Sequence, residues 1–168
     1  MKEHVHDTVY LRSRDFEEGR VLFETWDPKA HYAWDAGVAI GRFLMELKAG
    51  RLVGRRCPGC RRVLIPPRMV CEHCFLPTDA WVPLQDTGTV ITYSLCYVTW
   101  DMVHLEEPQI PAVIAIDGAS PGMGIMHLLG EVAPEAVKIG MRVQAVWKPA
   151  EERTGAITDI AYFKPVAS

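Results

Sequence analysis

Apolar residues recur along this chain with two different periods. Around residues 40 to 50 the period is helical: Ile40, Phe43, Leu44 and Leu47 fall at i, i+3, i+4 and i+7, and Gly50 stands where a C′ glycine ends a helix. An earlier helix is marked by Asp15 with Glu18 three residues on, a capping-box spacing, and should run to about Trp26 before Pro28 interrupts it. The stripe on the second helix needs a partner, either its own domain or another chain.

From about Gln85 the period shortens to two. "TGTVITYSLCYVTW" reads as one long strand, with Ile91, Tyr93, Leu95 and Tyr97 on one face and Thr92, Ser94 and Cys96 on the other. "PAVIAIDG", "MGIMHLLGEV", "MRVQAVW" and "GAITDIAYF" supply four more strands, and "APEAVKI" a short helical insert. Five strands with one insert match the element count of a small closed barrel of the OB type, and too little chain remains for a sandwich. Cys96 is expected to be a packed thiol, because no histidine or carboxylate lies near it in sequence.

Between the helical and the β segments lies "CPGCRRVLIPPRMVCEHC", which holds four of the five cysteines. Cys57 and Cys60 form one C-x2-C, and Cys71 and Cys74 form the other. Each pair can turn two thiolates toward one ion, so the stretch reads as a rubredoxin-like zinc ribbon. Iron also accepts four thiolates and is the alternative metal. Four sulfur ligands leave no open position for water or substrate, which points to a structural metal. A thioredoxin-type dithiol is the competing reading of a single C-x-x-C, and its doubling weighs against that. His73 is expected to be a loop residue beside a completed site.

The predicted class is therefore mainly β with N-terminal helices, a rubredoxin-like ribbon being followed by a five-stranded OB-fold barrel. The predicted boundaries are a helical segment at 1–50, the ribbon at 51–84 and the barrel at 85–168, the ribbon and the barrel each with a core of its own. With 168 residues, 49% of them hydrophobic, the chain can bury a full core without relying on the metal. No apolar run approaches the roughly 18 residues of a membrane span. "MKEHVHDTVY" lacks the apolar stretch of a signal peptide, so a reducing cytoplasmic setting is expected, where clustered cysteines serve metals.

The net charge of −3 conceals a division. By segment, 5 basic against 8 acidic side chains give −3 over residues 1–40, 8 against 2 give +6 over 41–75, and 5 against 11 give −6 over 76–168. A basic ribbon between acidic neighbours suits an anionic ligand or an acidic docking face. The acidic barrel argues against a groove that tracks phosphates, so specific nucleic-acid binding is not expected.

The order "FLMELKAGRLVGRRC", "CPGC…PPRMVCEHC", "GTVITYS", "PAVIAIDG", "VKIGMRVQAVW" and "IAYFKP" resembles the zinc-ribbon/OB-fold acyl-CoA-associated family, long filed as a domain of unknown function. The resemblance covers roughly residues 40 to 165, and it departs in the longer N-terminus and in "DGASPGMGIMHLLGEV". It implies a small non-catalytic subunit that bridges thiolase-superfamily enzymes, helps to hold a CoA ester and works in a hetero-oligomer. On that reading Arg55, Arg56, Arg61, Arg62 and Arg68 stand exposed on the ribbon to meet a CoA phosphate or the partner, and the "LIPP" tip offers a rigid apolar docking point.

Two other function classes stay open at this stage. One is a nucleic-acid-binding ribbon and barrel. The other is a stand-alone acyl-thioester enzyme using Asp101, His104, Asp117 or His127, although no spacing ties a base to a nucleophile. His4, His6 and Asp7 could touch a metal, but a frayed terminus is the expected state there.

Overall fold

The structure is a computed structural model that describes residues 11–26, 29 and 31–166. It divides into two compact units, Met1–Trp34 and Asp35–Ser168. The second predicted helix lies in the larger unit. His4, His6 and Asp7 lie outside the described residues.

In the smaller unit, helix α1 spans only Ser13–Glu17. Asp15 caps it from inside the first turn, accepting the Arg12 backbone N–H at 2.8 Å, and does not open it as the N-cap. The helix stops well short of Trp26, and Gly19 follows it at a φ of 66°. Phe16 and Phe23 meet edge to face at 5.4 Å within this unit.

The larger unit begins with α2, Gly37–Lys48. Phe43 and Leu47 are buried and Leu44 packs beside them, while Ile40 is mostly outside the core. Gly50, at a φ of 72°, donates to Leu47 C=O at 2.8 Å, and Arg51 N–H donates to Glu46 C=O at 2.9 Å, which completes a Schellman end. Strands β1 (Leu52–Arg56), β2 (Val63–Leu64) and β3 (Ala80–Leu84) follow and form a three-stranded antiparallel sheet in the order β2-β1-β3.

The remaining strands are β4 (Thr87–Tyr93), β5 (Cys96–Val98), β6 (His104–Gln109), β7 (Pro111–Ile116), β8 (Gly124–Leu128), β9 (Arg142–Trp147) and β10 (Ile160–Pro165). Five of them pair in the order β10-β9-β4-β7-β8. A parallel bridge between Leu129 and Phe163 joins the two ends of that sheet and closes the barrel. The insert is a single 3-10 turn, Pro134–Ala136, and Tyr93 Oη donates to the carbonyl of buried Val137 just beyond it at 3.0 Å.

The long strand predicted from residue 87 breaks at Ser94, whose N–H donates to Pro111 C=O at 3.0 Å. A bulge between Val90 and Thr92 also reverses the faces, so Val90 is buried and Ile91 is exposed. Beyond the break, β5 pairs with β6 in a separate hairpin that the alternation alone did not signal. Cys96 sits half-buried at its base.

The barrel core extends into α2 and the ribbon segment, while buried Cys57, Leu64 and Cys71 form a second, smaller cluster. Phe43 and Leu47 of α2, Leu52 and Val53 of β1, and Ile65 join Val90, Ile114, Val143 and Phe163 in one cluster. Met123 touches both this cluster and the buried Cys57, Leu64 and Cys71. Ser120 adds a polar clasp, its Oγ accepting the Val63 N–H at 2.9 Å while its own N–H donates to Val63 C=O at 3.0 Å. No helix among the described residues is long and apolar enough to cross a membrane.

Candidate metal centre and the ribbon surface

Two matching turns carry the four cysteines. In the first, Arg61 N–H donates to Cys57 C=O at 2.9 Å and Cys57 N–H donates to Arg62 C=O at 2.9 Å. In the second, Phe75 N–H donates to Cys71 C=O at 2.9 Å and Cys71 N–H donates to Leu76 C=O at 3.0 Å. Arg61 and Phe75 hold the same place in their turns and share a left-handed backbone, at φ values of 60° and 53°. Gly59 leaves the first turn room to close, since a Cβ there would stand 2.9 Å from a Leu76 methyl and 3.4 Å from Cys74 Sγ.

The turns bring Cys57, Cys60, Cys71 and Cys74 together, with all four sulfurs within 4.8 Å of one another. Cys60 and Cys71 are 3.7 Å apart. Four sulfurs each about 2.3 Å from a tetrahedral zinc lie about 3.8 Å from one another, so this spacing fits such an ion. Backbone N–H groups of Cys60 and Gly59 pull the Cys57 thiol down to about 7, whereas bonding to Cys60 and burial push Cys74 up to about 12. Without a cation, the cluster resists holding four thiolates at once. His73 is exposed and outside the group.

The five ribbon arginines do not behave alike. Arg55 is 7% exposed, so the expectation that it stands free fails. Its Nε donates to Thr78 Oγ1 at 2.5 Å, its Nη2 donates to the Thr78 carbonyl, and its guanidinium lies over the Trp81 ring at 4.7 Å. Arg56 pairs loosely with Asp79 at 3.7 Å. Arg62 and Arg68 each reach Glu72 at 3.0 Å. Glu72 is held below the usual carboxylate range by its own backbone N–H, which outweighs burial, with help from these arginines. Arg61 makes no ion pair with any described residue, and it lines a cavity of about 340 Å³ with Arg56, Pro58 and Asp79.

The "LIPP" tip is not a docking point, because Leu64, Ile65 and Pro67 are all buried. The apolar surface of the ribbon lies instead at Met69, Val70, Leu76 and Phe75, the last 81% exposed. A groove of about 670 Å³ that the sequence did not reveal runs between α2 and β3, with Trp81 in its wall. Arg42 and Arg51 line it and both bind Glu46, at 3.0 and 2.7 Å, holding that carboxyl below its ordinary range. No sequence pattern signalled it, because only the fold brings Trp81 beside α2.

The groups considered for catalysis are placed apart or already engaged. Asp117 is bound by Arg142 and by Thr87 Oγ1, which keep its carboxyl low. The two nitrogens of His127 meet Leu128 N–H at 2.9 Å and Ile157 C=O at 3.2 Å. Asp101 accepts from Thr99 at an exposed turn, and His104 is exposed on β6.

Comparison with known proteins agrees with this architecture. Residues 46–76 match the rubredoxin-like zinc ribbon domain of ChsH2, and residues 81–148 match its C-terminal OB-fold domain. A DUF35 domain-containing scaffold protein of Methanocaldococcus jannaschii is 36% identical over 118 residues, covering 68% of this chain and 82% of that protein. A probable enoyl-CoA hydratase alpha subunit of Thermomonospora curvata is 30% identical over 106 residues, but the chain spans only 31% of its length. Among solved structures, a DUF35 protein of unknown function from Sulfolobus solfataricus aligns at a TM-score of 0.56 and 27% identity, over 66% of this chain and 78% of that one. The Ltp2-ChsH2(DUF35) aldolase aligns at a TM-score of 0.54 and 25% identity, over 83% of this chain and 98% of that one. With two ribbon turns, a closed five-stranded barrel and these relatives, the chain belongs to the DUF35 family of zinc-ribbon/OB-fold proteins.

Proposed function

We propose that this protein is a non-catalytic, cytoplasmic companion subunit of a thiolase-superfamily enzyme, holding a structural zinc and helping to bind a CoA ester in a hetero-oligomer. The observation that carries this reading is the metal centre. All four positions of a tetrahedral ion are filled by protein sulfur, so the ion would shape the ribbon and not activate a substrate. Of the candidate acids and bases, Asp117, His127 and Asp101 are engaged by groups of the chain itself. Relatives described as a scaffold and as the ChsH2 part of an aldolase support the bridging role.

The charge for a CoA phosphate would come from Arg61, with Arg56, Arg62 and Arg68 around it; Arg55 is excluded by its burial. Reconstitution tests the proposal. The chain is mixed with the thiolase-fold enzyme that co-purifies with it from its native source, and acyl-CoA turnover is measured for each component and for both. Activity confined to the enzyme and raised by the chain is expected. Turnover of an acyl-CoA by the chain alone would overturn the reading.

A further inference from the structure

The two most exposed apolar residues of the barrel half lie on the hairpin β5–β6, which pairs as its own two-stranded sheet, while Met126 and Ile139, 71% and 69% exposed, stand singly elsewhere. Trp100 is 96% exposed, Met102 77% and Val103 53%, all at its turn. The turn is built and not frayed. Thr99 N–H donates to Val103 C=O at 2.9 Å, Met102 N–H donates to Thr99 C=O at 3.1 Å, and Val103 N–H donates to Thr99 Oγ1 at 3.1 Å. Met102 adopts a φ of 65°, a left-handed conformation that a side chain this size rarely takes. An indole held in water by an ordered turn costs solvation and gains no packing within the chain.

The hairpin's charge narrows what could cover it. From Cys96 to Gln109 the acidic residues are Asp101, Glu106 and Glu107, and the stretch has no lysine or arginine. An anionic membrane surface and a phosphate backbone would both be repelled. We infer that the β5–β6 hairpin is the element by which this subunit docks on its enzyme, Trp100 entering an apolar pocket that is rimmed by lysines and arginines. This rests on the companion-subunit reading and goes beyond it by naming the docking element and the partner surface. A buried aromatic anchor inside a charged rim is the usual make-up of an interface hot spot. The ribbon's exposed Phe75 ends the segment 41–75, whose net charge is +6, so the two tips belong to segments of opposite charge and would not compete for one partner site.

The test uses the full chain and the co-purifying thiolase-fold enzyme, with affinity measured by calorimetry for the wild type, Trp100→Ser, the double variant Glu106→Lys/Glu107→Lys, and Phe75→Ser. Trp100→Ser is expected to weaken binding at least a hundredfold with an unchanged thermal midpoint. The charge reversal should weaken it about tenfold, most clearly at low salt. Hydrogen exchange should show residues 96–109 protected in the complex. Wild-type affinity in Trp100→Ser, with no protection of the hairpin, would overturn this inference and leave the companion-subunit reading standing. No binding by the wild-type chain would overturn both. A wild-type dimer that Trp100→Ser turns into a monomer without changing enzyme binding would assign the hairpin to a second copy and overturn the inference.

Discussion

Leu129 and Phe163 form a parallel bridge, and Gly130 N–H donates to Phe163 C=O at 2.9 Å beside it. All the other barrel pairings are antiparallel. This contact joins the two end strands of the five-stranded sheet and closes it into a barrel at one point. Phe163 is fully buried, with His127 at its ring edge, 5.8 Å away.

Phe163→Ala should therefore destabilise the larger unit by about 3–5 kcal/mol, since it removes a ring from the core at the seam. Denaturant unfolding measures it. A loss below about 1 kcal/mol would mean that the barrel closes without this side chain.

Arg55 leads to a different expectation from its neighbours. Arg55→Lys keeps the charge but cannot bridge Thr78 Oγ1, the Thr78 carbonyl and the Trp81 face together. It should cost about 1–3 kcal/mol, the penalty for leaving a buried acceptor unpaired. Arg61→Lys, at an exposed position, should cost almost nothing. Equal midpoints for the two variants in thermal unfolding would contradict this assignment.

The cysteine spacing made the ribbon legible because two residues between ligands leave few ways to reach one ion. The barrel was legible because strands divided by Gly and Pro keep their count whatever their register. Register itself was not legible. The bulge at Ile91 inserts one residue, and a shift of one residue moves every later side chain to the other face. The hairpin was hidden for a related reason: "HLEEPQ" carries two glutamates and a proline, so its pairing follows from contact with β5 and not from its own propensity. The exposure expected for Arg55 failed because a charged side chain was read as a surface side chain. Thr78, far along the sequence, is what allows its burial.

Acid should expose the role of Asp159. Burial pushes its carboxyl pKa up, but the N–H groups of Thr154, Gly155 and Ala156, at 2.9, 2.7 and 3.2 Å, outweigh that and hold it low. A depressed folded pKa contributes stability that is complete above the unfolded value of about 3.9 and is lost as pH falls through the folded value. Asp159→Asn should thus be less stable than the wild type near neutral pH, with the gap narrowing below about pH 4. Unfolding midpoints at neutral and acid pH decide it. A gap that is constant across that range would show that the charge contributes nothing.

Metal removal should be felt throughout the larger unit. Met123 and the Ser120 clasp tie the buried Cys57 and Cys71 to the barrel, so losing the ribbon exposes part of a shared core. Elemental analysis should find one zinc per chain. A strong chelator, or Cys57→Ser, should lower the midpoint of a single transition. Two transitions, the upper one unchanged, would mean that the barrel is independent of its ribbon.

Arg61 and Arg62 are adjacent, yet charge reversal should separate them. Arg62 is paired with Glu72, so Arg62→Glu places two carboxylates together and leaves Arg68 to balance both. That variant should lose stability at low salt and recover part of it as salt screens the repulsion. Arg61 has no ion pair among the described residues and extends from a left-handed turn position beside the cavity it shares with Arg56. Arg61→Glu should leave the midpoint almost unchanged and weaken acetyl-CoA binding to the reconstituted complex about tenfold, the equivalent of one charge-assisted contact. Arg61→Gly suits the φ of 60° and makes the backbone control. If the glycine variant binds acetyl-CoA as tightly as the wild type does, the guanidinium touches no phosphate, and the basic ribbon serves docking alone.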